Sequence, residues 1–159
     1  GDGSDNQGEL TANTLTGLGM NTGMQYSTME KMDLLLGSGS DQLDITGVMT
    51  HPDGDRILTE INTGEGNDDI TITVNQDDGF LSVNTNGGDD RIDGTTSTLP
   101  LILFGGDGAD AIIGGLADDL IFGDRARIDY RDQSGNLVTR LGIDVQQRTF
   151  LLPGTPESS

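Results

Sequence analysis

Apolar residues along this chain come in short runs, alternating or β-branched, each bounded by Gly, Asn or Asp: Met32–Leu36, Leu43–Ile45, Ile57–Ile61, Ile70–Val74, Phe80–Val83, Leu101–Phe104, Ile112–Ile113 and Leu120–Phe122. Runs of this length with turn residues at both ends predict β-strands. No segment carries the period of an amphipathic helix. The alternation assigns Ile70, Ile72, Val74, Leu81, Val83, Leu101 and Leu103 to inward positions, where they would stack in a narrow aliphatic core. Beyond residue 124, Arg125–Arg131 and Leu137–Leu141 flank Asp132-Gln-Ser-Gly135-Asn136, which predicts a hairpin.

Between the runs a Gly-x-Asp-x-apolar unit recurs: Gly39-Ser-Asp41-Gln-Leu43, Gly66-Asn-Asp68-Asp-Ile70, Gly88-Asp-Asp90-Arg-Ile92 and Gly108-Ala-Asp110-Ala-Ile112. A degenerate copy, Gly3-Ser-Asp5-Asn-Gln7, opens the chain, and the successive glycines are 36, 27, 22 and 20 residues apart. Fixed chemistry at a coil-sized period predicts stacked coils. The expected fold is therefore all-β: a parallel β-helix or β-roll-like solenoid with Gly-Asp turns, ending in a C-terminal β-hairpin cap. Residues 1–124 would form the acidic coils, 125–150 the hairpin or capping segment, and 151–159 (Leu-Leu-Pro-Gly-Thr-Pro-Glu-Ser-Ser) a linker or frayed end.

Charge sharpens this division. The chain has 27 acidic and 8 basic side chains among 159 residues, a formal charge of −19. Residues 1–124 hold 23 of the acids and only Lys31, Arg56 and Arg91, whereas residues 125–159 hold 4 acids and 5 arginines. Such a balance excludes a nucleic-acid binder working through phosphate contacts. Leu, Ile, Val and Phe number 39 of 159 and there is no Trp, which places the chain just above the composition of a disordered one. Its 25 glycines add to the entropy lost on ordering. Cysteine is absent, so no disulfide supplies the missing stability. The lone histidine, His51, precedes Pro52 and reads as a loop residue. No apolar run approaches the length of a membrane-spanning helix, and no membrane insertion is expected. The opening Gly-Asp-Gly-Ser-Asp reads as the middle of a longer protein.

The aspartates themselves suggest a source of stability. Stacked strands superimpose their corners about 4.8 Å apart, and two carboxylates near 4 Å repel by roughly 4 kcal/mol at an effective dielectric near 20. A column of Asp41, Asp68, Asp90 and Asp110 thus calls for counter-ions. Calcium, which accepts many carboxylate and carbonyl oxygens in irregular geometry, is the expected cofactor. Polar turns on a solvated face are the plainer reading of the same residues. Carboxylate doublets such as Asp68/Asp69, Asp77/Asp78 and Asp89/Asp90 are not preformed acid/base pairs, because neighbours on a strand point to opposite faces. No Ser-His-Asp set or phosphate loop is visible, so no catalytic residue is expected and the segment reads as a non-enzyme.

Residues 105–113, GGDGADAII, match the nonapeptide G-G-x-G-x-D-x-U-x at every fixed position, and residues 114–122, GGLADDLIF, match it with Ala117 in place of one glycine. This resembles the repeats-in-toxin, or haemolysin-type, calcium-binding repeat. The resemblance implies side-chain ligands at Asp110 and Asp119, with Gly105, Gly106, Gly108, Gly114 and Gly115 shaping the turns and presenting carbonyls. Asp107 and Asp118 occupy variable positions of the motif, and Asp124 follows where the pattern fails; together with Asp41, Asp68 and Asp90 they complete the candidate metal-binding set. The family's β-roll uses several tandem nonapeptides, and here there are two. The wider upstream spacing, and phrases such as INTGEGNDDITITV (61–74), are similar to the long repetitive secreted or surface proteins of bacteria and some aquatic microorganisms.

Two functions follow as expectations. The first is a calcium-stabilised structural or adhesive segment of a large extracellular surface or fibre protein, whose partners are calcium and other copies or neighbouring repeats of the same protein. The second is a calcium-binding carrier or secretion module of a secreted protease, lipase or polysaccharide-modifying enzyme. Cell-surface polysaccharide is a further candidate partner, disfavoured by the scarcity of aromatic platforms. Arg125 and Arg127 either face the last acidic corner, near Asp119 and Asp124, as its counter-charge in place of calcium, or are surface arginines with no specific partner.

Overall fold

A computed structural model describes residues 3–50, 57–76 and 78–142. His51, Asp77, the last part of the proposed 125–150 segment and the proposed linker 151–159 lie outside the described residues. Fourteen strands and no helix are present among the described residues: β1 (Gln7–Leu10), β2 (Thr14–Gly17), β3 (Met24–Gln25), β4 (Lys31–Gly37), β5 (Gln42–Ile45), β6 (Leu58–Gly64), β7 (Asp69–Ile72), β8 (Phe80–Asn84), β9 (Arg91–Asp93), β10 (Leu101–Phe104), β11 (Ala111–Ile113), β12 (Leu120–Phe122), β13 (Ile128–Arg131) and β14 (Leu137–Leu141). They form three sheets. A seven-stranded sheet has the order β11-β9-β7-β5-β1-β2-β3, a five-stranded sheet the order β12-β10-β8-β6-β4, and β13 pairs with β14 alone.

This arrangement corrects the expected parallel β-helix or β-roll-like solenoid. The five-stranded sheet is parallel throughout, but the seven-stranded sheet is mixed, because β1 pairs antiparallel with β2 and β2 with β3. No closed solenoid is formed by the described residues. The reversal at Thr11–Thr14 has a local cause: the Thr11 hydroxyl accepts the Thr14 N–H at 2.9 Å, and the Thr11 N–H donates to the Thr14 carbonyl at 2.9 Å. The chain turns back there instead of advancing, so the 36-residue interval before Gly39 holds an antiparallel excursion.

The C-terminal strands β13 and β14 pair antiparallel with each other. β13 and β14 pack on the outer face of the five-stranded sheet, where Leu141, Ile128 and Tyr130 meet Leu58, Phe80, Ile102, Phe104 and Phe122. Phe80 meets the Tyr130 ring edge-on with centroids 5.9 Å apart, and Phe104 stacks on Phe122 at 5.0 Å. Three of the four phenylalanines are thus spent on this second, lateral cluster. All four residues of β10 are buried for this reason: Leu101 and Leu103 face the main core, Ile102 and Phe104 the hairpin.

The main core lies between the two large sheets and is built of columns. In-register parallel pairing aligns Leu43, Ile70, Ile92 and Ile112 in the seven-stranded sheet. In the five-stranded sheet it aligns Leu34, Ile61, Val83, Leu103 and Ile121. Ile61, Ile70, Val83, Ile92 and Leu103 are fully buried. A one-residue slip would turn each column to the opposite face.

The glycine that opens each corner is fixed by close backbone approach. A Cβ at Gly66 would lie 2.3 Å from the Gly39 carbonyl oxygen, one at Gly88 2.0 Å from that of Gly66, and one at Gly108 1.9 Å from that of Gly88. These three also take φ of +115°, +136° and +136°, which side-chain-bearing residues seldom adopt. Gly88→Ala is therefore expected to lower stability by about 2 kcal/mol or more. Gly123→Ala, where nothing lies within 4 Å of the added methyl, should leave the urea midpoint near its original value; equal midpoints for the two variants would contradict this account.

Candidate functional site: the acidic corner column

Each connection from the five-stranded to the seven-stranded sheet passes through one Gly-x-Asp corner: 37–41 leads from β4 to β5, 64–68 from β6 to β7, 84–90 from β8 to β9 and 105–110 from β10 to β11. The corners superimpose because the strands on either side pair in register. The structure therefore brings together Asp41, Asp68, Asp90 and Asp110, with Asn6 standing at the equivalent position before β1.

These carboxylates are hydrogen-bond acceptors for the neighbouring corner's backbone. The N–H of Asn6 donates to Asp41 Oδ1 at 2.8 Å, that of Asp41 to Asp68 Oδ1 at 2.8 Å, that of Asp68 to Asp90 Oδ1 at 2.8 Å, and that of Asp90 to Asp110 Oδ1 at 3.0 Å. Four of the five residues in this inner ladder are aspartates whose charge strengthens the bond. An outer ladder runs beside it in the opposite sense. Ser40 N–H donates to Asp5 Oδ1 at 2.8 Å, Asn67 N–H to Ser40 Oγ at 3.1 Å, Asp89 N–H to Asn67 Oδ1 at 2.9 Å, and Ala109 N–H to Asp89 Oδ1 at 2.9 Å. Two chain positions per corner thus satisfy the backbone donors that the turn removes from the sheets.

The second oxygen of each inner carboxylate is treated unequally. Thr63 Oγ1 donates to Asp68 Oδ2. The buried Oδ2 atoms of Asp41, Asp90 and Asp110 make no hydrogen bond, although the Thr85 hydroxyl lies near enough to Asp90 to favour its ionised form. A threonine stands five residues before Asp68 and before Asp90, whereas Gly105 stands five before Asp110. The Thr85 hydroxyl donates to the Gly105 carbonyl at 2.7 Å. A Cβ at Gly105 would fall 2.3 Å from Asp110 Oδ2, so only glycine leaves room for the carboxylate there.

Asp41, Asp68 and Asp90 are at most 2% exposed. Burial pushes the Asp68 carboxyl up to about 7, against the hydrogen bonds from Thr63 and the Asp41 N–H that favour its ionised form. Burial likewise raises Asp90.

The remaining candidates are scattered. Asp119 accepts Leu101 N–H at 2.9 Å and Gly115 N–H at 2.6 Å, at the start of β12 and away from the inner ladder. Asp107 is exposed and pairs with Arg125 at 2.5 Å, while Arg127 pairs with Asp129 at 3.3 Å. The arginines therefore do not meet Asp119 and Asp124. Asp118 and Asp124 are exposed. Gly106 and Gly108 hold positive φ, and a Cβ at Gly115 would meet the Ser97 carbonyl at 2.6 Å. Among the described residues, no three His, Asp or Glu side chains converge on one point. Sequence reasoning missed the outer ladder (Ser40, Asn67, Asp89) and the threonines behind the aspartates, although the repeated Thr-x4-Asp spacing at 63/68 and 85/90 carries that signal.

Buried carboxylate oxygens without a proton donor match calcium in ligand type. One such oxygen per corner means that carbonyls or water would complete the shell. No family model, curated protein or solved structure matches this chain.

The raised Asp68 value fixes the sign of a pH effect. An acid that binds its proton more tightly in the folded than in the unfolded state makes stability fall as pH rises between the two pKa values, from near 4 to about 7, and level off above. In metal-free buffer the melting temperature should fall over this window. Asp68→Asn, which keeps an oxygen for the Asp41 N–H, should flatten the fall; an unchanged pH profile would refute the assignment.

Proposed function

We propose that the chain is a structural segment of an extracellular or cell-surface protein, held in its folded state by calcium at the acidic corners. The observation that carries this reading is the set of buried, unpartnered Oδ2 atoms at Asp41, Asp90 and Asp110 on one column. An ionised buried oxygen with no donor is costly, and a divalent cation removes that cost where a surrounding carbonyl set exists. Asp41, Asp90 and Asp110 would each offer Oδ2 to an ion at its own corner, leaving Oδ1 to the backbone ladder. When bound, calcium would supply charge neutralisation alone. Everything else that orders the corner comes from the chain: glycines that let backbones touch, and carboxylates that accept the next corner's N–H.

The resemblance of residues 105–122 to haemolysin-type repeats supports the same ion. Extracellular modules bind calcium at roughly 0.1–1 mM, so a chain using these corners would tighten outside a cell and loosen where calcium is scarce. A structural role also accords with a polar corner whose donors and acceptors are largely consumed within the chain.

Thermal unfolding in chelator and in millimolar calcium tests this directly. Calcium is expected to raise the melting temperature, and a triple Asn variant at 41, 90 and 110 should lose that rise while keeping its strand signal. A melting curve indifferent to calcium, with none bound by elemental analysis, would overturn the reading.

A further inference from the structure

Each corner aspartate is preceded, five residues earlier, by a residue at the end of the five-stranded sheet: Leu36 before Asp41, Thr63 before Asp68, Thr85 before Asp90 and Gly105 before Asp110. These four form a column of their own. Pairing of Gly37 with Gly64 sets Leu36 beside Thr63, pairing of Asn62 with Asn84 sets Thr63 beside Thr85, and pairing of Asn84 with Phe104 sets Thr85 beside Gly105. The aspartates they precede are alike at Oδ1, which in each case accepts the N–H of the corner before it. They differ in what reaches Oδ2.

Leu36 has no donor to offer. The Thr63 hydroxyl donates to Asp68 Oδ2, its alternative acceptor, the Thr85 carbonyl, being farther away at 3.3 Å. The Thr85 hydroxyl lies near Asp90 but has the Gly105 carbonyl 2.7 Å away, and a hydroxyl carries one proton. Gly105 has no side chain. The point where its Cβ would stand is 2.3 Å from Asp110 Oδ2 and 2.5 Å from the Gly123 carbonyl oxygen, two acceptors with no donor of their own. The buried Oδ2 atoms without a hydrogen bond belong to Asp41, Asp90 and Asp110; Asp68, served by a donating hydroxyl, is the exception.

We infer that the residue five positions before each aspartate selects which corners take a cation, and that the Thr63 hydroxyl is the chain's own substitute for the ion at Asp68. A proton donor at a buried carboxylate oxygen supplies the partial positive charge that the oxygen lacks. An ion approaching the same oxygen would have to displace that donor, and would gain only the difference. Corners that share the Gly-x-Asp spacing are therefore unequal sites, and the Asp68 corner stays free of metal while Thr63 is in place. The inference rests on the calcium reading proposed above and adds to it the residue that decides occupancy.

Counting bound calcium per chain, by equilibrium dialysis and elemental analysis in mildly alkaline buffer where protons compete least, tests this on the parent chain, Thr63→Ala and Thr63→Ser. Thermal unfolding in chelator and in millimolar calcium accompanies each count. Thr63→Ala removes the hydroxyl and leaves its place open. It should bind one calcium more than the parent, melt lower than the parent in chelator, and recover that loss in calcium. Thr63→Ser keeps the donor and should match the parent in count and in both melting temperatures. A Thr63→Ala chain with the parent's calcium count, a melting loss that calcium does not repair, or an additional ion on Thr63→Ser would each overturn the inference while leaving the calcium reading intact. A parent chain that binds no calcium would overturn the calcium reading, and this inference with it.

Discussion

The interaction on which the rest of the structure depends is the hydrogen bond from one corner's aspartate N–H to the next corner's aspartate carboxylate. At these corners the chain leaves one sheet for the other, and backbone bridges at Glu65, Gly87 and Asp107 take up only part of the hydrogen bonding. The Asp41–Asp68–Asp90–Asp110 ladder carries the pairing across the gap, and the Asp5–Ser40–Asn67–Asp89 ladder carries it back in the opposite sense. Because both ladders are local to one column, they hold neighbouring strands in register before any side chain of the core is considered. The aliphatic columns of Leu43, Ile70, Ile92 and Ile112 then fall into line.

This ladder converts an apparent liability into a constraint. A column of carboxylates repels itself, yet each Oδ1 is engaged by a backbone donor that has no better partner. What remains uncompensated is narrower than the formal charge suggests: the second oxygen of Asp41, Asp90 and Asp110. On the proposed reading, a divalent cation would relieve it. The threonine at 63 relieves Asp68 within the chain, and its absence before Asp110, where Gly105 stands instead, marks where outside help matters most.

The strands and the corners were legible in the sequence because each rests on a local rule. Period-two burial of Leu43 and Ile45, or of Ile70 and Ile72, follows from alternation alone, and the Gly-x-Asp offset follows from backbone contact between stacked glycines. The global arrangement was less legible. Gln7–Leu10, Thr14–Gly17 and Met24–Gln25 are short, polar strands with no apolar run to announce them, and their antiparallel pairing turns on a threonine hydroxyl at the 11–14 reversal. The docking of the C-terminal hairpin depends on Phe80, Phe104 and Phe122 facing away from the main core, a choice between two faces that a fully apolar β10 does not reveal. The recurring Gly-x-Asp spacing marks the aspartates as candidate ion ligands; that one oxygen of each serves the backbone is visible only once the corners are superimposed.

The ladder is tested most directly by amide hydrogen exchange at the corners, resolved residue by residue by NMR. The account predicts that the Asp41, Asp68 and Asp90 amides exchange as slowly as those of the central strands β7 and β8, since each is bound to the next corner's carboxylate. Exchange at the rate of an open turn, with β7 and β8 still protected, would contradict it.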